Sequence, residues 1–433
     1  MIRFGLLLCL SSAFLTTAQA QDAADSDPAD VSPDTSVESE SDTDYVATEG
    51  HVVENRRSYL QENSEKNTLT KDYLGFGQKV NERGINSTLN LWMLYQGNVS
   101  GGITDDEDLN GLVYLSNFFD LDRIFGWNDA SFLIRIDGRW GDGINAAVGS
   151  LMNVNTLAVG DEPIGVTRFW FDKHWLQDRL RLRVGKLDIT TENFNFHGTN
   201  TAFDAMNYAN SPRTMFLDGG LVNNSSIPFP ESGLGAMLLY EPVDRIYIAG
   251  GAIPSDSKEY EWDNPFSGDS VWLYTAETGT VIDVGDDDRP GHYYAGVWSG
   301  EFVNAPRGKG IYVGASQLLI SKDGSQQNGL GAFFRYGYAQ DHPKGIKHFL
   351  SFGGQYRGLL RNLDQVIGIG WAQAFTDGPG FTASYEGVLE VYYRGRFAPA
   401  WLHFTPHIQY VVNPGSQDVS NAWTLGLRAQ VTF

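Results

Sequence analysis

The chain has 433 residues, with 53 Asp and Glu against 31 Lys and Arg for a formal net charge of −22; it is 42% hydrophobic, 13% aromatic and 19% charged, with 49 glycines. So acidic a chain lacks the basic surface that a nucleic-acid partner calls for. Its only cysteine, Cys9, lies in an N-terminal apolar stretch, which leaves the rest of the chain without a disulfide or a thiolate metal site.

Met1, Ile2 and Arg3 precede an apolar run from Phe4 to Leu15, and Ala18-Gln19-Ala20 has the small-x-small form of a signal-peptidase site. The run is shorter than the ~20 residues of a membrane-spanning helix. Residues 1–20 are therefore expected to be a cleaved export signal. Residues 21–68 follow as an acidic leader, in which 21 to 50 carry ten acidic side chains and no Lys or Arg. With almost nothing to bury, this leader is predicted to be disordered and solvated on the periplasmic side. Plugging a pore or touching peptidoglycan is the alternative role. From Leu69 to Arg83, Leu69, Tyr73, Phe76 and Val80 recur at helical spacing and Gly84 supplies a stop, which predicts a short helix.

From Ile85 the period changes to two. Segments near 86–98, 111–119, 130–140, 166–174, 179–188, 233–241, 245–253 and 292–301 alternate apolar with polar residues and are separated by turn residues. Others follow near 310–320, 330–339, 347–356, 366–375, 384–397 and 400–412, before a terminal strand with Trp423, Leu425, Leu427, Ala429, Val431 and Phe433 on one face. Each has about the ten residues that a tilted strand needs to cross the hydrocarbon layer. These make fifteen, and bacterial single-chain barrels have even strand numbers. A further strand is expected within the poorly patterned stretch from Ile189 to Ser232, for about sixteen. Closure follows because an open sheet edge in lipid leaves backbone polar groups unsatisfied. The expected fold is all-β: a transmembrane antiparallel up-and-down β-barrel over 69–433, preceded by a short helix. Adjacent aromatics such as Phe118-Phe119, Phe169-Trp170-Phe171, Tyr293-Tyr294 and Tyr392-Tyr393 fit interfacial girdles or sheet packing.

Several stretches resemble the carbohydrate-selective porin family of the OprB type in order and spacing. They are LTKDYLGFGQKVNERGI (69–85), QGNVSGG (96–102), DLDRIFGW (120–127), LRVGKLD (182–188) and IPFPESGLGAMLLYEP (227–242). The second half adds PGHYYAGVW (290–298), LGAFFRYGYA (330–339), EVYYRGRFAPAWLHFTPHIQYVVNPG (390–415) and LGLRAQVTF (425–433). The resemblance covers nearly all of Leu69 to Phe433. It implies a sixteen-stranded outer-membrane barrel through which monosaccharides and related solutes diffuse down their gradient. The acidic leader departs from the family's shorter entry.

In such a pore the chemistry lies in the lining of the narrowest part. The strand from Ser131 to Trp140 places Phe132, Ile134 and Ile136 on one face and Arg135, Asp137 and Arg139 on the other, expected to be the lumen. Arg179, Arg181 and Arg183 alternate with Leu180, Leu182 and Val184 and run on to Lys186 and Asp188, a basic ladder. These arginines would offer planar donors to sugar hydroxyls, with Asp137, Asp188 and Glu192 as acceptors; alternatively they only balance lumen carboxylates. Trp92, Trp140 and Trp170 are candidates to stack on a pyranose face, or belong to girdles and packing. Thr190 to Ser232, rich in Asn and containing Arg213, is the candidate for a loop folded into the channel, or is an ordinary surface loop.

The acidic runs 105–108 and 286–288 are read as solvated loop tips, with divalent-cation binding as the alternative. There is no G-x-S-x-G, H-E-x-x-H or P-loop motif, so no catalytic residue, metal ligand or cofactor is assigned. A general or anion-preferring pore and a non-transporting structural barrel are the competing readings. The expected partners are permeating sugars, outer-membrane lipid and lipopolysaccharide, and the barrel-assembly machinery through Phe433; homotrimeric association stays open. N-terminal sequencing of the protein recovered from outer membranes should begin at about Gln21, and retention of Met1 would refute export by cleavage.

Overall fold

The computed structural model describes residues 69–158, 160–190, 215–262, 270–322, 324, 328–359, 365–397 and 401–433. The predicted signal and leader, with Glu192 and Arg213, lie outside the described residues. A helix, α1 (Lys71–Asn81), comes first, and Thr70 caps it by accepting from the Tyr73 amide at 3.1 Å. Gly84, at φ +90°, turns the chain into the first strand. A Cβ there would lie 2.8 Å from the Cβ of Arg123, so the close approach itself requires glycine.

Sixteen strands follow. They are β1 (Ile85–Ser100), β2 (Asp106–Asp120), β3 (Ala130–Trp140), β4 (Glu162–Trp175), β5 (Leu180–Leu187), β6 (Gly233–Val243), β7 (Ile246–Pro254) and β8 (Trp272–Val284). The second half comprises β9 (Arg289–Phe302), β10 (Ala305–Ser321), β11 (Gly329–Gln340), β12 (Ile346–Arg357), β13 (Gln365–Thr376), β14 (Tyr385–Phe397), β15 (Leu402–Val412) and β16 (Ala422–Thr432). Each strand pairs antiparallel with its sequence neighbours, and β16 returns to pair with β1, so the barrel is closed. Among the described residues, three short α-helices lie between strands: α2 (Leu121–Phe125), α3 (Asn145–Val148) and α4 (Gly219–Val222).

Connections at one end of the barrel are short, such as 176–179, 244–245 and 285–288. The opposite end carries 141–161, 188–232 and 255–271. Short turns mark the periplasmic side of such barrels and long loops the exterior.

The sixteenth strand is not where the sequence pattern placed it. Residues 215–232 contribute only α4 and irregular backbone, and the missing strand is β8. Its outward positions are Tyr274, Ala276, Thr278, Thr280 and Ile282, while Leu273 and Val281 point inward and are buried. Hydropathy along β8 therefore does not alternate with the side facing lipid, and the pattern is lost.

Adjacent aromatics divide between the two faces, as a period of two requires. Phe118, Trp170, Tyr294 and Tyr392 are buried on the inner side, whereas Phe119, Phe169, Tyr293 and Tyr393 have the outward parity. Outward parity, which a girdle requires, thus belongs to one member of each pair and to Phe169 and Phe171 in the run of three. Inward tyrosines lie flat across glycines of the neighbouring strand. A Cβ on Gly296 would come within 2.2 Å of the Tyr312 ring, and one on Gly314 within 2.2 Å of Tyr294. These glycines make room for rings that would otherwise have no space against the wall.

The seam between first and last strands runs from Ser100↔Trp423 to Asn90↔Thr432, and the Phe433 amide extends it with a 3.0 Å bond to the Leu89 carbonyl. Deleting Phe433 should lower the yield of heat-modifiable folded barrel, read as the shift in gel mobility between unheated and boiled samples.

Candidate functional site

One wall of the lumen is built by β2 to β5. On β3 the inward residues Arg135, Asp137 and Arg139 follow the sequence-predicted parity, with Phe132, Ile134 and Ile136 outward. Arg135 donates from Nε and Nη2 to the two oxygens of Asp137, at 2.7 and 2.8 Å, a bidentate fork. Its guanidinium lies 4.0 Å from the Tyr114 ring, which stacks on Trp92 with centroids 4.9 Å apart. Arg139 reaches Glu259 at 2.8 Å and lies 3.8 Å from Asp137.

On β4 and β5 the same chemistry recurs. Asp172 Oδ2 accepts from Arg181 at 2.6 Å and from Arg183 at 2.7 Å, and Arg183 lies 3.6 Å above the Trp170 ring. Arg168 bonds Asp188, Ser232 and, at 2.7 Å, Glu259. Each guanidinium is therefore ordered by carboxylates and aromatic faces, geometry that suits arginine's fixed planar donors.

The opposite wall, β11 to β16, carries two loops folded back into the lumen. Ile144, Val148, Met152 and Val154 from 141–161, with Phe216, Leu221 and Val222 from 188–232, pack against Phe333, Phe349, Ala372, Val388 and Tyr392 of the wall. Leu157 and Leu217 reach across to Leu94, Leu112 and Trp92. The loops also bond each other: the Gly219 amide donates to the Asn153 carbonyl at 2.8 Å, and Thr156 donates from Oγ1 to the Leu217 carbonyl at 3.0 Å.

The candidate residues thus divide. Arg135, Asp137, Arg139, Trp170, Arg181, Arg183 and Asp188 are gathered on the inner wall. Trp140 is not: it has the parity of Ile136, and its indole covers Gly111 on the outer face, so it does not line the lumen. Arg179 sits at the short-turn end, paired with Asp244. Lys186 pairs in register with the outward Phe169 and donates to the Glu261 carbonyl at 2.7 Å beneath Trp262, outside the ladder. Of the first acidic run, Asp108 accepts from the Gly143 amide at 2.7 Å and Glu107 from Tyr95, so these two carboxylates are engaged in protein hydrogen bonds.

Sequence reading passed over Arg168, Asp172, Glu386, Glu390 and Arg335. The parity that puts Trp170 inward also selects Arg168 and Asp172. The parity of Val388 and Tyr392 selects Glu386 and Glu390.

The family described as carbohydrate-selective porin, OprB family, matches residues 111–262 and 259–433. The chain belongs to this family. Porin B of Pseudomonas aeruginosa is 21% identical over 420 residues, spanning 84% of this chain and 90% of that protein. The high-pH structure of Pseudomonas putida OprB superposes with a TM-score of 0.71 at 20% identity, covering 86% of this chain and 99% of that one. The low-pH structure of the same protein gives 0.56 at 18% identity, with 86% and 100% covered. The protein is an outer-membrane β-barrel porin of the carbohydrate-selective kind.

Within this porin one group of the infolded loops is held in an unusual state. Asp218 caps α4 by accepting from the Gly220 amide at 2.9 Å, while its Oδ2 has no hydrogen-bond partner among the described residues. Burial first, then the charges of Glu390 and Glu386, push its carboxyl well above the usual range. A raised carboxyl pKa favours the docked loop at low pH, and that contribution is lost as pH rises through the raised value. Loop fluctuations, read as open-channel noise in planar bilayers, should therefore grow from acid to alkaline pH. Asp218→Asn keeps an acceptor for Gly220 without the charge and should flatten that dependence.

Proposed function

We propose that neutral monosaccharides and similar small solutes diffuse passively along the arginine-bearing wall of β2 to β5, past the face of the two docked loops. The observation that carries this is the ladder of paired charges: Arg135 with Asp137, Arg139 with Glu259, and Arg181 and Arg183 with Asp172. Such pairs set donors beside acceptors, and a sugar hydroxyl is both. On this reading no group acts as a catalyst, insertion uses the assembly machinery through the terminal strand, and lipopolysaccharide surrounds the exterior rim.

Liposome swelling with purified porin and a panel of sugars, amino acids and anions tests the reading. Faster swelling for monosaccharides than for charged solutes of similar size supports it. Equal rates for all would replace it with a general diffusion pore, faster entry of anions with an anion-preferring one, and no swelling with a structural barrel. Arg139→Ala leaves Asp137 its bond from Arg135 and Glu259 its bond from Arg168, so folded yield should hold. Losing one hydrogen bond worth about 1 kcal/mol should change monosaccharide flux roughly fivefold. Unchanged flux and ion selectivity would leave Arg139 a charge-balancing role only.

A further inference from the structure

β14 carries two inward carboxylates four positions apart, both fully buried at 0% exposure. Glu390 accepts from the Leu217 amide at 2.9 Å, the Asp218 amide at 2.9 Å and Nε2 of Gln409 at 3.0 Å. Glu386 accepts from the Leu151 and Met152 amides, each at 2.7 Å, and from the Gly415 amide at 2.5 Å. Neither has a Lys or Arg within ion-pair distance among the described residues. The wall also supplies donors where the loops offer carbonyls. Arg335 donates to Leu221, Arg428 to Met215 and Gln409 to Val154, each at 2.8 Å.

Side-chain acceptors thus meet loop N–H groups and side-chain donors meet loop C=O groups. The same strand grips 151–152, 217–218 and the β15–β16 turn at Gly415, and the loops are bonded to each other. The three segments are therefore held as one body by one strand.

We propose that Glu386 and Glu390 are positioning residues that set the size limit for solutes, by fixing both infolded loops against β14. The inference rests on the sugar-porin reading but concerns which residues hold the constriction, not which solute is preferred. A glutamate can accept on both oxygens, whereas a glutamine of the same shape has one acceptor and turns an NH2 group toward backbone N–H groups. Glu390→Gln therefore exchanges a satisfied tether for a donor facing donors in a buried site, and undocks the loop without opening a cavity.

The experiment compares wild type with Glu390→Gln as folded, heat-modifiable barrel, measuring liposome swelling for a mono-, a di- and a trisaccharide. The trisaccharide-to-monosaccharide ratio should rise about tenfold, the population change that corresponds to about 1.4 kcal/mol of lost docking energy. Ion selectivity should stay near wild type, because the lost charge is not in the solute path. An unchanged ratio, or an equal fall in flux for every sugar, overturns the proposal. If Glu390→Gln does not yield folded barrel, Glu386→Gln puts the same question at 151–152 and Gly415, with the same two outcomes. A wild type that passes no sugar at all would instead sink the sugar-porin reading, so the two failures are distinguishable.

Discussion

A chain crossing hydrocarbon must satisfy every backbone N–H and C=O internally, since each unsatisfied group costs several kcal/mol there. Strands can meet that demand only by closing, and here the β16 to β1 seam completes the ring. Closure then fixes two environments at alternate residues. Outward positions must suit lipid, where an arginine at the midplane costs about 2 to 4 kcal/mol. A slip of one residue on β5 would expose both Arg181 and Arg183, so the register is set by charge as firmly as by pairing.

The same constraint explains how the lumen is organised. Because strand pairing consumes the wall's backbone groups, a loop entering the barrel finds only side chains on the wall to bond with. Where it is buried from solvent, as at Met152, Leu217 and Asp218, its amides need acceptors and its carbonyls need donors. Glu386 and Glu390 meet the first need; Arg335, Arg428 and Gln409 meet the second. Glu386, Glu390, Arg335 and Arg428 on β11 to β16 are thus spent on backbone groups of loops and turns, whereas Arg135, Asp137, Asp172, Arg181 and Arg183 on β3 to β5 are spent on one another. A buried network specifies a single arrangement to the extent that its groups are satisfied, and here the unpartnered Oδ2 of Asp218 is a weak point.

What could be read from the sequence followed the lipid-facing period. The alternation in 131–140 and 179–184 placed Arg135, Arg139, Arg181 and Arg183 inward, because lipid tolerates one parity only. The pattern failed where the outward face is small or hydroxylated, as in β8 with Ala276, Thr278 and Thr280. It misplaced Trp140, where an indole beside the charged Arg139 suggests a stacking platform but strand parity puts it over Gly111 on the outer face. The loop tethers had no local signal. Glu386 and Leu151 are 235 positions apart, and Glu390 and Leu217 are 173 apart. Parity marks those carboxylates as inward, but nothing in the strand says what they will hold.

The chain's net charge of −22 makes the basic wall a local feature that needs its own explanation. If the wall served to draw anions, its arginines would be expected to stand clear of carboxylates. Instead Asp137, Asp172, Asp188 and Glu259 lie among Arg135, Arg139, Arg168, Arg181 and Arg183, so positive charge is largely cancelled pair by pair. Cancellation weakens long-range attraction for ions but preserves a dense array of oriented donors and acceptors at short range. In the reading proposed above, a neutral polyhydroxylated solute gains from the exposed edge of such an array, at Arg139, Asp188 and Glu259, without shedding the tightly held hydration shell of an ion. That physical preference, rather than the count of arginines, supports selectivity for sugars over charged solutes of the same size.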